Sequence, residues 1–179
     1  KLLYTENGGE NWSDGASAGF NPMGAHLNGL AQLGDGRLML VGEMGLIGLS
    51  ADGRDWSSVD VPYSGSLFDV EPIGERGAIV VGMRGNAFWT ADIESQEWKK
   101  IETHSVDSLF SVRKGHQSGQ FLLAGANNRV FKVTIDLPAQ AHGLEAVSSE
   151  TDSVLVYSGL SAEGGVVVLA SDNGPVLLQ

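Results

Sequence analysis

One segment of this chain returns at a nearly constant spacing, and that repetition constrains the fold more than any single motif. "VGEMGLIGLS" at 41–50 is matched by "VGMRGNAFWT" at 81–90, "AGANNRVFKV" at 124–133 and "ASDNGPVLLQ" at 170–179, at intervals of 40, 43 and 46 residues. Each copy is an apolar run closed by a small residue, a tight turn, and a second apolar run. The opening "KLLYT" at 1–5 fits the last half of the unit, with Thr5 in the place of Ser50. An upstream run keeps the same register as "LNGLAQL", "SLFDVEPI", "SLFSVRK" and "SVLVYSGL", beginning at 27, 66, 108 and 153. Trp12, Trp56 and Trp98 follow suit, 44 and 42 residues apart.

A period of about 40 to 45 residues is that of β-propeller blades. Within each repeat, "RLMLVGE", "GAIVVGM", "QFLLAGA" and "GVVVLAS" are short apolar runs rich in β-branched residues and bounded by Gly, which reads as strand. Four strands per repeat are expected, at about 66–73, 77–83, 86–92 and 98–104 in the second full repeat. No stretch shows a sustained helical period with caps, so almost no helix is expected. Pro138 and Gly143 make "TIDLPAQAHGLEAV" at 134–147 read as a longer loop between the outer two strands of the third repeat. A lone four-stranded blade leaves two apolar faces uncovered, and stacking around an axis covers both. That explains middle strands that are apolar at consecutive positions instead of alternating. A solenoid of stacked β-coils is the rival, but its rungs repeat at shorter spacing.

The expected fold class is therefore all-β, a propeller of four-stranded antiparallel blades. One domain covers 1–179, with repeats at about 1–26, 27–64, 65–106, 107–150 and 151–179. Since both ends read as third strands, the chain is expected to be part of a larger ring. Missing blades from the rest of the chain, or a second copy, would complete it.

Composition narrows the function. The 25 Gly without a collagen-like period suit many tight turns. A net charge of −11, from 11 basic and 22 acidic residues, repels phosphate backbones and argues against nucleic-acid binding. With no Cys, disulfides, thiol catalysis and cysteine-bound zinc are excluded. No apolar run reaches the length of a membrane span, so direct membrane insertion is not expected. His26, His104, His116 and His142 are scattered, with no pair at metal-ligand spacing, and "GDG" at 34–36 is a hairpin turn without the Lys-Ser/Thr of a phosphate loop. Neither metal nor cofactor is expected.

A second element recurs once per repeat at the turn between third and fourth strands: "TENGGENW" at 5–12, "SADGRDW" at 50–56 and, more loosely, "TADIESQEW" at 90–98. Its chemistry is that of a turn-closing device. The Asp or Asn side chain (Asn7, Asp52, Asp92) accepts backbone N–H groups, and the hydroxyl (Thr5, Ser50, Thr90) adds a bond. The tryptophan (Trp12, Trp56, Trp98) covers the turn and packs on the blade. Asn7, Asp52 and Asp92 could instead be metal or sugar ligands, but recurrence once per repeat points to a per-repeat structural need.

This element resembles the Asp-box, or bacterial neuraminidase repeat, whose usual form is Ser-x-Asp-x-Gly-x-Thr-Trp. The combination "LVGEMGLIGLSADGRDW" resembles more particularly the photosystem II stability/assembly-factor propeller family, in which a Val-Gly-x-x-Gly turn leads into a Ser-x-Asp-Gly-Gly…Trp turn. The resemblance covers nearly the whole chain. "SADGRDW" is one residue shorter than the usual box, "TADIESQEW" is one longer and lacks the glycine pair, and "KVTIDLPAQA" has lost the box. The resemblance implies a ring of about seven blades, and a non-catalytic protein–protein scaffold. It also implies an extracytoplasmic setting, periplasm or thylakoid lumen, and a partner that is a membrane-protein complex or its assembly intermediate.

Asp-box propellers include sialidases and other glycoside hydrolases, so the alternative is a glycan-cleaving or glycan-binding propeller. A sialidase needs three arginines, a Tyr–Glu pair and an Asp acid. None of Arg37, Arg54, Arg76, Arg84, Arg113 and Arg129 stands in an Arg-Ile-Pro setting, and the tyrosines are Tyr4, Tyr63 and Tyr157 alone. No paired carboxylates of the glycosidase kind stand out. No enzyme activity is expected. The candidate partner contacts are in the turns between second and third strands: Glu43, Arg84, Asn127, Arg129 and Asp172.

Overall fold

The computed structural model describes residues 2–15, 19–138, 141–147, 156–161, 167–171 and 174–178. Its strands are β1 (Leu3–Tyr4), β2 (Ser13–Asp14), β3 (Leu27–Gln32), β4 (Leu38–Gly42), β5 (Ile47–Ser50), β6 (Ser57–Ser58), β7 (Leu67–Ile73), β8 (Gly77–Gly82), β9 (Ala87–Thr90) and β10 (Lys99–Lys100). They continue with β11 (Leu109–Lys114), β12 (Gln120–Gly125), β13 (Val130–Asp136), β14 (Ala141–Val147), β15 (Val156–Ser161), β16 (Val167–Ser171) and β17 (Gly174–Leu178). All pair antiparallel with their sequence neighbours. β3–β6, β7–β10 and β11–β14 are four-stranded meanders, here called blades 1, 2 and 3. β15–β17 form a three-stranded sheet (blade 4) and β1–β2 a two-stranded one. Helix among the described residues amounts to three-residue 3-10 turns at Glu43–Gly45, Met83–Gly85 and Ile93–Ser95, and no helix there is long and apolar enough to cross a membrane.

The first strands β3, β7, β11 and β15 lie side by side in chain order, so each blade stacks on the next. The core lies in the seams. Along β8, Ala78 and Val80 pack toward Met39, Val41 and Ile47 of blade 1, while Ile79 and Val81 pack toward Leu109, Leu123 and Phe131 of blade 3. β9 divides the same way, Phe88 to one seam, Ala87 and Trp89 to the other. Successive strand residues face opposite sides of a sheet, and here both sides are covered. That is why "GAIVVG" is fully buried and carries no polar alternation.

Three expectations need correction. The segment 134–147 is no loop: Val130–Asp136 pairs with Ala141–Val147 over seven residue pairs, and Gly143 sits inside the strand opposite Thr134. The ladder outweighs the turn signals of Pro138 and Gly143, which lie at its hairpin end and within an outer strand. The fourth strand of blade 2 is only Lys99–Lys100, because β9 supplies just Trp89 and Phe88 as partners before Ile101 turns in to bond Ala87. Trp12 lies against its own turn but is not buried on a blade: it is 60% exposed, whereas Trp56 is 8%. Trp56 meets Phe20 at 5.7 Å between ring centroids, on the neighbouring layer; the two-stranded sheet offers Trp12 only the edge of Gly9.

The boxes themselves are turn locks. The Ser50 hydroxyl oxygen accepts the Gly53 N–H (2.8 Å), and Asp52 Oδ1 accepts the N–H groups of Arg54 (2.9 Å) and Asp55 (3.0 Å). Trp56 Nε1 donates to the Gly53 carbonyl (3.1 Å). The first copy is built likewise: Thr5 Oγ1 accepts from Gly9 N–H (2.9 Å) and Asn7 Oδ1 from Asn11 N–H (3.0 Å). The third differs. Asp92 caps a 3-10 turn by accepting the Glu94 N–H (3.0 Å), and Trp98 Nε1 reaches back to the Asp60 carbonyl of the preceding repeat (2.9 Å).

These bonds set a pH dependence. The Arg54 and Asp55 N–H groups hold the Asp52 carboxyl below its ordinary 3.8, and the Arg37 guanidinium does the same for Asp35. A carboxyl lowered in the folded state contributes stability present above its unfolded value and lost as pH falls through the folded one. Glu71 has the opposite sign: burial raises it above 4.5, so its contribution is present below that value and lost as pH rises through the folded one. Urea midpoints from pH 7 to 2.5 should therefore fall below about pH 4. A midpoint that rises over that acid interval would contradict the sign.

Candidate functional site

The glycine that closes the second strand has a geometric reason in blades 1, 2 and 3. After β4, β8 and β12 the backbone turns and clamps onto the residue that precedes its own blade's first strand or opens it. Glu43 N–H donates to the His26 carbonyl (3.0 Å), Met83 N–H to Ser66 (2.9 Å) and Ala126 N–H to Ser108 (2.9 Å). A Cβ on Gly42, Gly82 or Gly125 would overlap the same three carbonyls. The second glycines, Gly45 (φ 69°) and Gly85 (φ 70°), abut the Tyr63 and Ser105 carbonyls of the connections into the next blade. Between the two glycines of blades 1 and 2 one residue takes a left-handed conformation and stands out into solvent, Met44 (φ 58°) and Arg84 (φ 57°); blade 3 has no second glycine and turns through Asn127 (φ 53°) and Asn128 (φ 56°). Non-glycine residues at such angles lose on the order of 1 kcal/mol each, so the turn shape is imposed by the clamp and the exposed side chain is free to serve something else.

The structure brings four of the five sequence-derived candidates onto this rim; Asp172 lies outside the described residues. They are not equivalent. Glu43 is turned back on its own blade, accepting the His26 N–H (3.1 Å) with the His26 ring 3.3 Å away. Arg129 donates from Nε to Asp107 Oδ2 (2.8 Å) and Asn127 from Nδ2 to Asp107 Oδ1 (2.6 Å). That Arg129 guanidinium holds the Asp107 carboxyl below 3.8. Arg129 and Asn127 are thus the flanks of a carboxylate clamp, not loose contacts, a pairing that 20 or so residues of intervening chain hide from the sequence.

Arg84 is different. Arg37 pairs with Asp35 and Glu94, Arg54 with Glu6, Arg76 with Asp92 and Glu94, Arg113 with Asp69, and Arg129 with Asp107. Among the described residues Arg84 is the arginine with no carboxylate in pairing range. Around it the rim carries apolar groups that sequence reasoning missed: Met44 is 52% exposed, Met83 37% and Val106 84%. Tyr63 ties these turns together, its hydroxyl donating to the Met83 carbonyl (3.1 Å) beside the Gly45 turn. The only signal available beforehand was that the x-x of each Val-Gly-x-x-Gly held Met where a turn favours Asn or Gly.

The box side is less telling. A cavity of ≈ 600 Å³ lies against the blade 1 box, with Arg37, Asp55, Trp56 and Glu94 in its wall, but Arg37 and Glu94 are bonded to each other at 2.9 Å. A larger cavity, ≈ 770 Å³, opens at this same end of the strands, beside the turns around Gly115–Gly119 and Leu137. Among the described residues no three His, Asp or Glu side chains gather as a metal site.

Fold and rim together define a β-propeller that presents its second-to-third-strand turns as a surface. No protein-family model matches the chain, and no curated protein matches it. Solved structures do. A structure of YCF48 bound to a D1 peptide superimposes over 99% of this chain with a TM-score of 0.70 at 15% identity. YCF48 from Cyanidioschyzon merolae matches 88% with a TM-score of 0.65 at 14% identity, covering 54% of that protein. Virginiamycin B lyase from Staphylococcus aureus matches 86% with a TM-score of 0.64 at 10% identity, covering 55% of that one. The chain spans 56% of the length of the peptide-bound YCF48. At these identities the likeness establishes the propeller fold.

Proposed function

We propose that the chain is a non-catalytic protein–protein scaffold whose rim holds a segment of a membrane-protein complex or of its assembly intermediate, on the extracytoplasmic side of the membrane. The observation that carries this is the unpaired Arg84 set among exposed Met44, Met83 and Val106. A cation left without a partner beside clustered apolar surface is what an interface presents before its partner arrives. Methionine suits such a surface because its unbranched thioether adapts to varied shapes. The peptide seen on YCF48, a protein of the same fold, supports the reading. So do the Val-Gly-x-x-Gly turns of blades 1 and 2, whose backbone clamps hold Met44, Met83 and Arg84 out at the rim.

Reversing the charge at Arg84 tests it. Arg84→Glu should lower capture of the partner from envelope extracts about ten-fold or more, with thermal unfolding unchanged. Arg84→Gly should lose capture too while equalling or exceeding the parent's stability by up to about 1 kcal/mol, since glycine relieves the left-handed turn. The same proteins captured equally by parent and both variants would sink the scaffold reading for this rim.

A further inference from the structure

We infer that the rim's occupant is an extended peptide that lays a large apolar or aromatic side chain on the Phe68–Phe110 pair and sets a carboxylate on Arg84. This rests on the scaffold reading and specifies its partner.

Phe68 and Phe110 hold the same place in blades 2 and 3. Pairing of β7 with β8 shifts between Leu67 and Asp69, and that of β11 with β12 between Leu109 and Ser111, so each phenylalanine is the extra residue of a bulge. A bulge re-aims its side chain. The two rings meet across the blade seam at 5.2 Å between centroids and 55° between planes, and both stay partly exposed. Blade 1 has Asn28 at that position, spent on the Leu67 carbonyl (2.8 Å), so its seam with blade 2 carries no such pair.

Arg84 stands at the rim end of the same seam. Its N–H donates to Ser108 Oγ (3.3 Å), two residues before Phe110, and the neighbouring Met83 N–H bonds Ser66, two residues before Phe68. The acids beside the first strands of this seam are already committed: Asp69 to Val112 N–H and Arg113, Asp107 to Arg129 and Asn127. Among the described residues no carboxylate neutralises the guanidinium. Exposed Val106 lies just upstream, between the Ser105 that abuts Gly85 and the Asp107 of the clamp. Phenylalanine pair, Met83, Arg84 and Val106 follow one another along a seam and over a turn. That is a track for an extended segment. Its chemistry is complementary to an acid beside a large apolar residue, and guanidinium–carboxylate pairing gives that choice direction.

The test is panning of a random decapeptide display library on this chain. Enriched peptides should carry Asp, Glu or a free C-terminal carboxylate within about two residues of Phe, Leu, Met or Trp, as one extended stretch spans turn and seam. For synthetic copies of them, Arg84→Ala and Phe110→Leu should each weaken binding about ten-fold, while Arg129→Ala should change it less. Phe110→Leu keeps an apolar residue at the bulge, so its fold can be verified by near-parent thermal unfolding. Enrichment of basic or carboxylate-free sequences, binding indifferent to both substitutions, or no enrichment would overturn the peptide inference. If Arg84→Glu still abolished capture of a whole protein from extracts, the scaffold reading would survive that failure.

Discussion

Asp69→Ala is expected to lower folding stability by about 2 to 4 kcal/mol. The carboxylate takes the Val70 N–H (3.0 Å) on its own strand and, across the blade seam, the Val112 N–H (3.0 Å) and the Arg113 guanidinium. Val112 is fully buried on an inner strand, and its N–H points to blade 2. Losing its acceptor leaves a buried donor unsatisfied, about 1 to 3 kcal/mol. Arg113 adds less, at most about 1 kcal/mol, because its side chain is 36% exposed and water screens it. Asp69→Asn keeps an acceptor and should lose roughly half as much. Urea unfolding measures all three. If Asp69→Ala cost less than about 0.5 kcal/mol, the typical scale of a surface change, the seam would be held by packing alone.

Gly85→Ala should be at least as damaging, about 3 kcal/mol or more, or a melting temperature lower by about 6 to 12 °C. Two effects add. The backbone is left-handed at φ 70°, and a Cβ would overlap the Ser105 carbonyl and stand 2.9 Å from Thr103 Oγ1. Thr103 cannot retreat, because its hydroxyl donates to the Gly85 carbonyl (2.8 Å) and it is buried. Gly8 is the control: φ is 69° but a Cβ there meets nothing, so alanine should cost only about 1 kcal/mol. Equal losses at the two sites would mean that backbone angle, not the clamp on the next connection, explains the second glycine of Val-Gly-x-x-Gly.

How far the chain could be read follows from which contacts are local. A Ser50 hydroxyl and an Asp52 carboxylate bond groups two to three residues away, so the box was legible as a turn lock. "GAIVVG" was legible as a strand covered on both faces because its own pattern lacks polar alternation. Four of the rim candidates lie on the second-to-third-strand turns, yet their pairing differs from one to the next. Arg84 and Arg129 look alike in sequence, but only the fold puts Asp107 against Arg129 and, among the described residues, no acid against Arg84. Trp12 matched the boxes by spacing, yet its burial depends on a neighbouring layer that its own residues do not specify.

By itself the sequence determined the period, most of the strands, the stacked architecture and the box turns of the repeats that carry them. These follow from backbone preferences and hydrophobic patterns that act within one repeat. Only the tertiary structure decided which charges are used up at the seams, which arginine stays free, and that two bulged phenylalanines meet beside it. Those outcomes depend on pairs of residues 22 to 44 positions apart, brought into contact by strand pairing within a blade or by stacking of one blade on the next. No local pattern encodes which member of such a pair will find its partner.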